Sequence, residues 1–96
     1  MEIRFVRAVQ FTSLLKAGGR LREFNFRKMR GEEGDIFSIN VCDDRGERIL
    51  FQMRKEDDRW RFKPQTLPVW IEQQENKLNE AIIEELQRGD LSGRFA

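Results

Sequence analysis

From Leu21 to Lys63 the chain runs in short stretches that alternate apolar with charged or polar residues, and at Leu67-Pro68-Val69-Trp70-Ile71 the period changes. A period of two sends successive side chains to opposite faces of a strand, and a period near 3.6 gathers them on one stripe of a helix. Phe24 and Phe26 alternate with Glu23, Asn25 and Arg27; Phe37, Ile39 and Val41 alternate with Ser38, Asn40 and Cys42. Ile49, Phe51 and Met53 are opposed by Arg48, Leu50, Gln52 and Arg54, and Trp60 and Phe62 sit among Arg59, Arg61 and Lys63. Between these runs fall Arg30-Gly31-Glu32-Glu33-Gly34, Asp43-Asp44-Arg45-Gly46 and Glu56-Asp57-Asp58. Aspartate initiates turns and glycine takes left-handed angles, so Asp43 to Gly46 is the strongest hairpin signal in the chain.

The first segment has two readings. Ile3, Phe5, Val9 and Phe11 share one strand face, interrupted by Arg7, whereas Phe5, Val6, Val9, Leu14 and Leu15 fit a helix less regularly. The β-branched and aromatic content favours a strand over Met1 to Phe11 followed by a short turn of helix, closed by Ala17-Gly18-Gly19. At the other end the spacing predicts one helix over 67–88. Thr66 is placed as its N-cap, Pro68 lies in its first turn, and Gly89 follows its last periodic residue. Leu67, Ile71, Leu78, Ile82 and Leu86 form its apolar stripe, widened by Trp70 and Ala81 and interrupted by Gln73 to Lys77.

The fold expected is α+β: an antiparallel β-meander of four or five strands with one C-terminal α-helix packed on one face. Residues 1–88 form a single domain, and 89–96 a flexible C-terminal tail. A length of 96 residues suits one modest core, and 36 % charged against 39 % hydrophobic residues suits a thin, two-layer protein.

Charge adds an asymmetry. Eighteen Lys plus Arg against 17 Asp plus Glu leave a net +1, too little for a global field that attracts nucleic acid or an anionic membrane. From Pro64 onward Lys77, Arg88 and Arg94 stand against Glu72, Glu75, Glu80, Glu84, Glu85 and Asp90, so the helical half is acidic and the strand half mildly basic. The strand positions opposite the core parity collect Arg27, Arg48, Arg54, Arg59, Arg61 and Lys63 with Asn25, Ser38, Asn40 and Gln52. Guanidinium groups spaced along one sheet face suit a phosphate backbone, although all the sheet aromatics that would stack bases share the other parity. The plain reading of the same residues is a solvated face that discourages aggregation.

The order of elements resembles PUR-domain and Whirly-type nucleic-acid-binding modules, in which a curved antiparallel sheet is followed by one helix. Phe24-Asn25-Phe26-Arg27, a turn, and Gly34-Asp35-Ile36-Phe37-Ser38-Ile39 look like the first hairpin of a PUR repeat. The long third strand running into Asp58-Arg59-Trp60-Arg61-Phe62 departs from that pattern. The resemblance is one of topology, and no family binding residue carries over to this chain.

Trp60 and Trp70 flank the Pro64 to Pro68 connection, where they either seal the end of the core or, at Trp70, offer an aromatic contact to a partner. Ile36, Leu50 and Cys42 are apolar positions on the wet face, suited to a small dimer patch. Asp43-Asp44 and Glu56-Asp57-Asp58 lack the spaced ligand series of a calcium loop, and turn chemistry accounts for them. Arg88-Gly89-Asp90 spells an adhesion tripeptide whose glycine already has a helix-ending role. A chain with no His or Tyr, one Cys and no glycine-rich phosphate loop offers no catalytic motif, no zinc set and no disulfide, so no enzyme, metal or cofactor is expected. No run approaches a membrane span, and a soluble cytoplasmic protein is expected. The leading functional expectation is a small non-catalytic interaction module, binding a protein partner or a second copy through the exposed sheet face or Trp70. The alternative is a single-stranded nucleic-acid-binding module using the basic face, and a third is a small-ligand pocket between helix and sheet.

Overall fold

A computed structural model describes residues 9–32 and 34–94, the side chains of 89–94 aside. Five strands, β1 (Gln10–Ala17), β2 (Arg20–Gly31), β3 (Gly34–Cys42), β4 (Arg48–Glu56) and β5 (Arg59–Phe62), form one antiparallel sheet in the order of the chain. A short helix α1 (Val69–Glu72) and a long helix α2 (Glu75–Arg94) follow. Among the described residues no helix is long and apolar enough to cross a membrane.

The alternation becomes the core. Phe24, Phe26, Phe37, Ile39, Val41, Phe51, Met53 and Trp60 are buried on the inner face, with Ile49 and Phe62 half-buried. Ile71, Leu78 and Ile82 from the helices belong to the same cluster. Aromatic rings cross it from strand to strand: Phe11 stacks on Phe26 at 4.3 Å, and Phe37 meets Phe11 edge-on at 6.1 Å and Trp60 at 4.9 Å. Such pairs add to their area burial because ring edge and ring face carry opposite partial charge.

Three hairpins follow their turn residues. Gly18 and Gly19 (φ +62° and +79°) make the two-residue connection closed by the pair Ala17 and Arg20. A side chain at position 18 would also meet the Trp70 Cβ at 3.1 Å, so both angle and space require glycine there. In the β3–β4 turn the Asp43 Oδ1 accepts the N–H groups of Arg45 and Glu47, each at 2.8 Å. Asp57 and Asp58 occupy the β4–β5 turn at φ +49° and +68°. Both central residues of such a turn need left-handed angles, which strain a side chain at Asp58 that glycine would relieve. Asp58→Gly is therefore expected to raise stability by about 0.5 to 1 kcal/mol, the larger unfolded-state freedom of glycine offsetting part of the gain. Paired urea melts read this directly.

Four sequence expectations change. Of the strand placed at Met1 to Phe11, positions 1–8 lie outside the described residues, and no helical turn follows Phe11. The strand runs instead to Ala17, because every residue from Gln10 to Ala17 has a partner in β2. The helix begins at Val69, not at 67, with Pro68 rather than Thr66 as its N-cap. Proline holds the residue before it extended, and the Pro68 carbonyl accepts the N–H groups of Ile71 and Glu72. The single helix is divided at Gln73-Gln74. Gly89 does not end it, since the α2 backbone continues to Arg94 through the stretch expected as a tail. Glycine there weakens a helix without preventing the backbone bonds that propagate it.

Polar residues of α2 have a task. Glu75 Oε2 accepts the N–H of Phe62 at 3.0 Å, and Asn79 Oδ1 accepts the N–H of Trp60 at 2.7 Å. Four helical residues rise about 6 Å and two strand residues about 6.6 Å, so an i, i+4 pair on α2 matches alternate edge groups of β5. The helix runs antiparallel to β5, and its backbone also approaches β1, the opposite edge of the curled sheet.

Candidate interaction surface

The face opposite the core carries the side chains that the sequence singles out, and strand register places them in rows. One row joins Gln10, Arg27, Ser38 and Gln52, and the next joins Met29, Ile36, Arg54 and Arg61. Lys63 lies beside the first row, its Nζ 3.3 Å from Gln52 Oε1. Arg27, Arg54, Arg61 and Lys63 are thus brought together on adjacent rows. Arg54 stands directly across from Arg61, an arrangement that repels unless an anion intervenes. Glu56 answers Arg54 at 3.1 Å, whereas among the described residues neither Arg27 nor Arg61 has an ion-pair partner.

The other two basic residues do not join this group. Arg48 donates to Asn40 Oδ1 at 2.7 Å and ends a polar ladder in which Thr12, Asn25 and Asn40 are linked across β1, β2 and β3. Arg59 is drawn off the face by a hydrogen bond to Asn76 of α2. The expected six-residue patch is therefore four residues, because register separates Arg48 and the helix claims Arg59.

The half of the face nearer Gly18 and Gly19 has a different character. Leu14, Leu21 and Leu50 are 60, 64 and 65 % exposed, and Cys42 is exposed diagonally to Leu50. Leu14 and Leu21 are diagonal neighbours across β1 and β2, since Leu14 pairs with Glu23 and Lys16 with Leu21. Glu23 places one carboxylate on this half. Ile36 is half-buried and pairs with Met29 at the basic end, so it belongs to no patch with Leu50 and Cys42. A shallow depression lined by Leu21, Glu23, Asn25, Cys42 and Arg48 lies on this half.

Trp70 is not a free aromatic. The guanidinium of Arg22 lies 4.1 Å over its ring, and Arg22 is buried. From there Arg22 donates to the carbonyls of Ala17 at 2.8 Å and Cys42 at 3.4 Å and meets Asp44 at 3.1 Å. One side chain thus ties the β1–β2 turn, the β3–β4 turn and the start of α1. Arg22 has the inward parity of Phe24 and Phe26, a signal that a charged residue faces the core and needs partners there; those partners are distant in sequence.

The acidic turn at Asp43-Asp44 is committed to the fold. Asp43 caps its own turn, while Asp44 accepts from Arg20 at 2.9 Å and from Arg22. The Arg20 hydrogen bond, opposed by some desolvation and helped by Arg22, holds the Asp44 carboxyl below the usual aspartate value of 3.8. A carboxyl lowered by folding contributes stability above its unfolded value, and the contribution is lost as the pH falls through its folded value. Carboxyl NMR titration should place the Asp44 midpoint below the usual value, and Arg20→Ala should move it back up. Among the described residues no three His, Cys, Asp or Glu side chains gather where a cation could sit. Compared with known proteins, the chain matches no family model, no curated protein and no solved structure.

Proposed function

We propose that the protein is a small non-catalytic interaction module whose outer sheet face takes a protein surface that is part apolar and part acidic. The observation that carries this reading is the exposure of Leu14, Leu21 and Leu50 on the face that also holds Arg27 and Arg61, which have no counter-ion among the described residues. Large aliphatic side chains left in water, Leu14 and Leu21 as diagonal neighbours and Leu50 two strands away on β4, favour a protein contact, and the guanidinium groups on the other half of the same face select for carboxylates. In this reading α2 covers the inner face, which leaves the outer one for partners, and a reducing compartment such as the cytoplasm suits the single exposed Cys42.

Affinity capture from the source cells, compared between parent, Leu21→Asp/Leu50→Asp and Arg54→Glu/Arg61→Glu, tests it. A protein retained by the parent and lost by both variants is the expected result. Retention that neither variant changes would dismiss the outer face.

The convergence of Arg27, Arg54, Arg61 and Lys63 favours a second reading, single-stranded nucleic-acid binding, and the resemblance of residues 24–39 to a PUR hairpin accords with it. Against it, the sheet aromatics point into the core rather than toward a strand of bases. Fluorescence anisotropy with labelled single-stranded DNA and RNA at low and moderate salt decides. Salt-dependent binding abolished by Arg54→Glu/Arg61→Glu would replace the protein-binding reading; no binding at low salt removes this one.

A further inference from the structure

The two edges of the sheet are treated differently. On β5, the pair Glu56 and Arg59 closes a two-residue turn, and the N–H of Lys63 bonds the Gln52 carbonyl, so alternate residues from Arg59 face β4. That leaves Trp60 and Phe62 with outward N–H groups, and Asn79 and Glu75 accept both. On β1, the Lys28 N–H bonds the Val9 carbonyl and the pair Ala17 and Arg20 closes the turn, so the odd-numbered residues face β2. The backbone groups of Gln10, Thr12, Leu14 and Lys16 therefore point away from the sheet. Among the described residues no hydrogen bond reaches any of them from outside it.

Proteins usually blunt an open edge with charge, proline, a bulge or a short strand. β1 has eight residues, no proline and Lys16 as its only charge. Its inward side chains Phe11 and Leu15 are only half-buried. We propose that β1 pairs antiparallel with β1 of a second copy, joining two sheets across a two-fold axis at Ser13. This goes beyond the outer-face reading and does not depend on it.

The strand is complementary to itself in that register. Outward-bonding residues meet outward-bonding residues, Thr12 opposite the second Leu14 and Gln10 opposite the second Lys16, so the two lysines lie at opposite ends of the junction. On the inner side Phe11 falls opposite the second Leu15, completing the cover that each lacks. Ser13 meets itself at a position without hydrogen bonds, where strands approach to a Cα separation of about 4.5 Å. A two-fold contact of this kind closes on two copies and does not propagate.

Analytical ultracentrifugation over a concentration series should show a monomer–dimer equilibrium. Thr12→Pro removes an outward N–H that bonds to none of the described residues of the subunit. It should weaken dimerisation at least about a hundredfold and leave the circular dichroism spectrum unchanged, proline being tolerated where the N–H faces outward. In a Cys42→Ser background, Ser13→Cys should oxidise to a covalent dimer, because the paired Cα separation lies in the disulfide range, while Lys16→Cys should not. A parent that stays monomeric throughout, or equal crosslinking at positions 13 and 16, overturns the proposal. So does a dimer untouched by Thr12→Pro and dissolved by Leu50→Asp, which would move the contact to the outer face.

Discussion

Phe37→Ala is expected to lower the stability of the fold by about 4 kcal/mol, the middle of the range for removing a buried phenylalanine. Phe37 is fully buried at the centre of the sheet and meets rings from both sides, Phe11 on β1 and Trp60 on β5. Truncation removes the transfer energy of the ring and leaves a void that close-packed neighbours fill only in part. Small domains have roughly 5 to 10 kcal/mol to lose, so the loss is near half of the total. A fall of about 15 to 30 °C in the melting temperature follows for a domain of this size. Phe37→Leu, which keeps most of the volume, should cost about 1 to 1.5 kcal/mol. Equal losses for the two substitutions would show that Phe37 is not at the centre of the packing.

Arg22→Ala is expected to cost about 3 kcal/mol, although it deletes a charged residue from a strand rich in them. The buried guanidinium satisfies two carbonyls and a carboxylate and covers the Trp70 ring. Removing it leaves the Ala17 carbonyl without this donor and opens space beneath an indole. Arg22→Lys should recover little of the loss, since an ammonium lacks the planar fork that reaches several acceptors while stacking on a ring. The neighbouring Arg20→Ala, whose ion pair with Asp44 is exposed on both sides, should cost less than about 0.5 kcal/mol. Urea melts of the three variants separate a buried junction from a surface charge cluster; a loss at Arg22 no greater than at Arg20 would reject the junction. A double-mutant cycle with Trp70→Ala should show coupling, because the two side chains share one contact.

The inner face was legible wherever the period of two ran unbroken. Phe24, Phe26, Phe37, Ile39, Val41, Phe51, Met53 and Trp60 are buried as their parity predicts. The turn at Asp43 to Gly46 was equally legible, because its aspartate caps N–H groups two and four residues away. Ser13 to Ala17 was not, since adjacent leucines at 14 and 15 mimic a helical stripe and only pairing with β2 settles the strand. The basic surface was legible as a parity but not as a patch. Asn76 draws Arg59 away, Asn40 engages Arg48, and both ties depend on contacts between elements.

By itself the sequence determined which side chains face the core and where the chain reverses, because alternation along a strand sets the face and the turn residues set the reversal. Tertiary structure alone decided three things: the burial of Arg22 beneath two turns and against Trp70, the closure of the β5 edge by Glu75 and Asn79, and an outer edge of β1 that no described residue bonds. Each depends on a hydrogen-bonding group meeting, or failing to meet, a partner far away in the chain. Periodicity reports the face on which a side chain lies, and it carries no information about what the fold brings to that face.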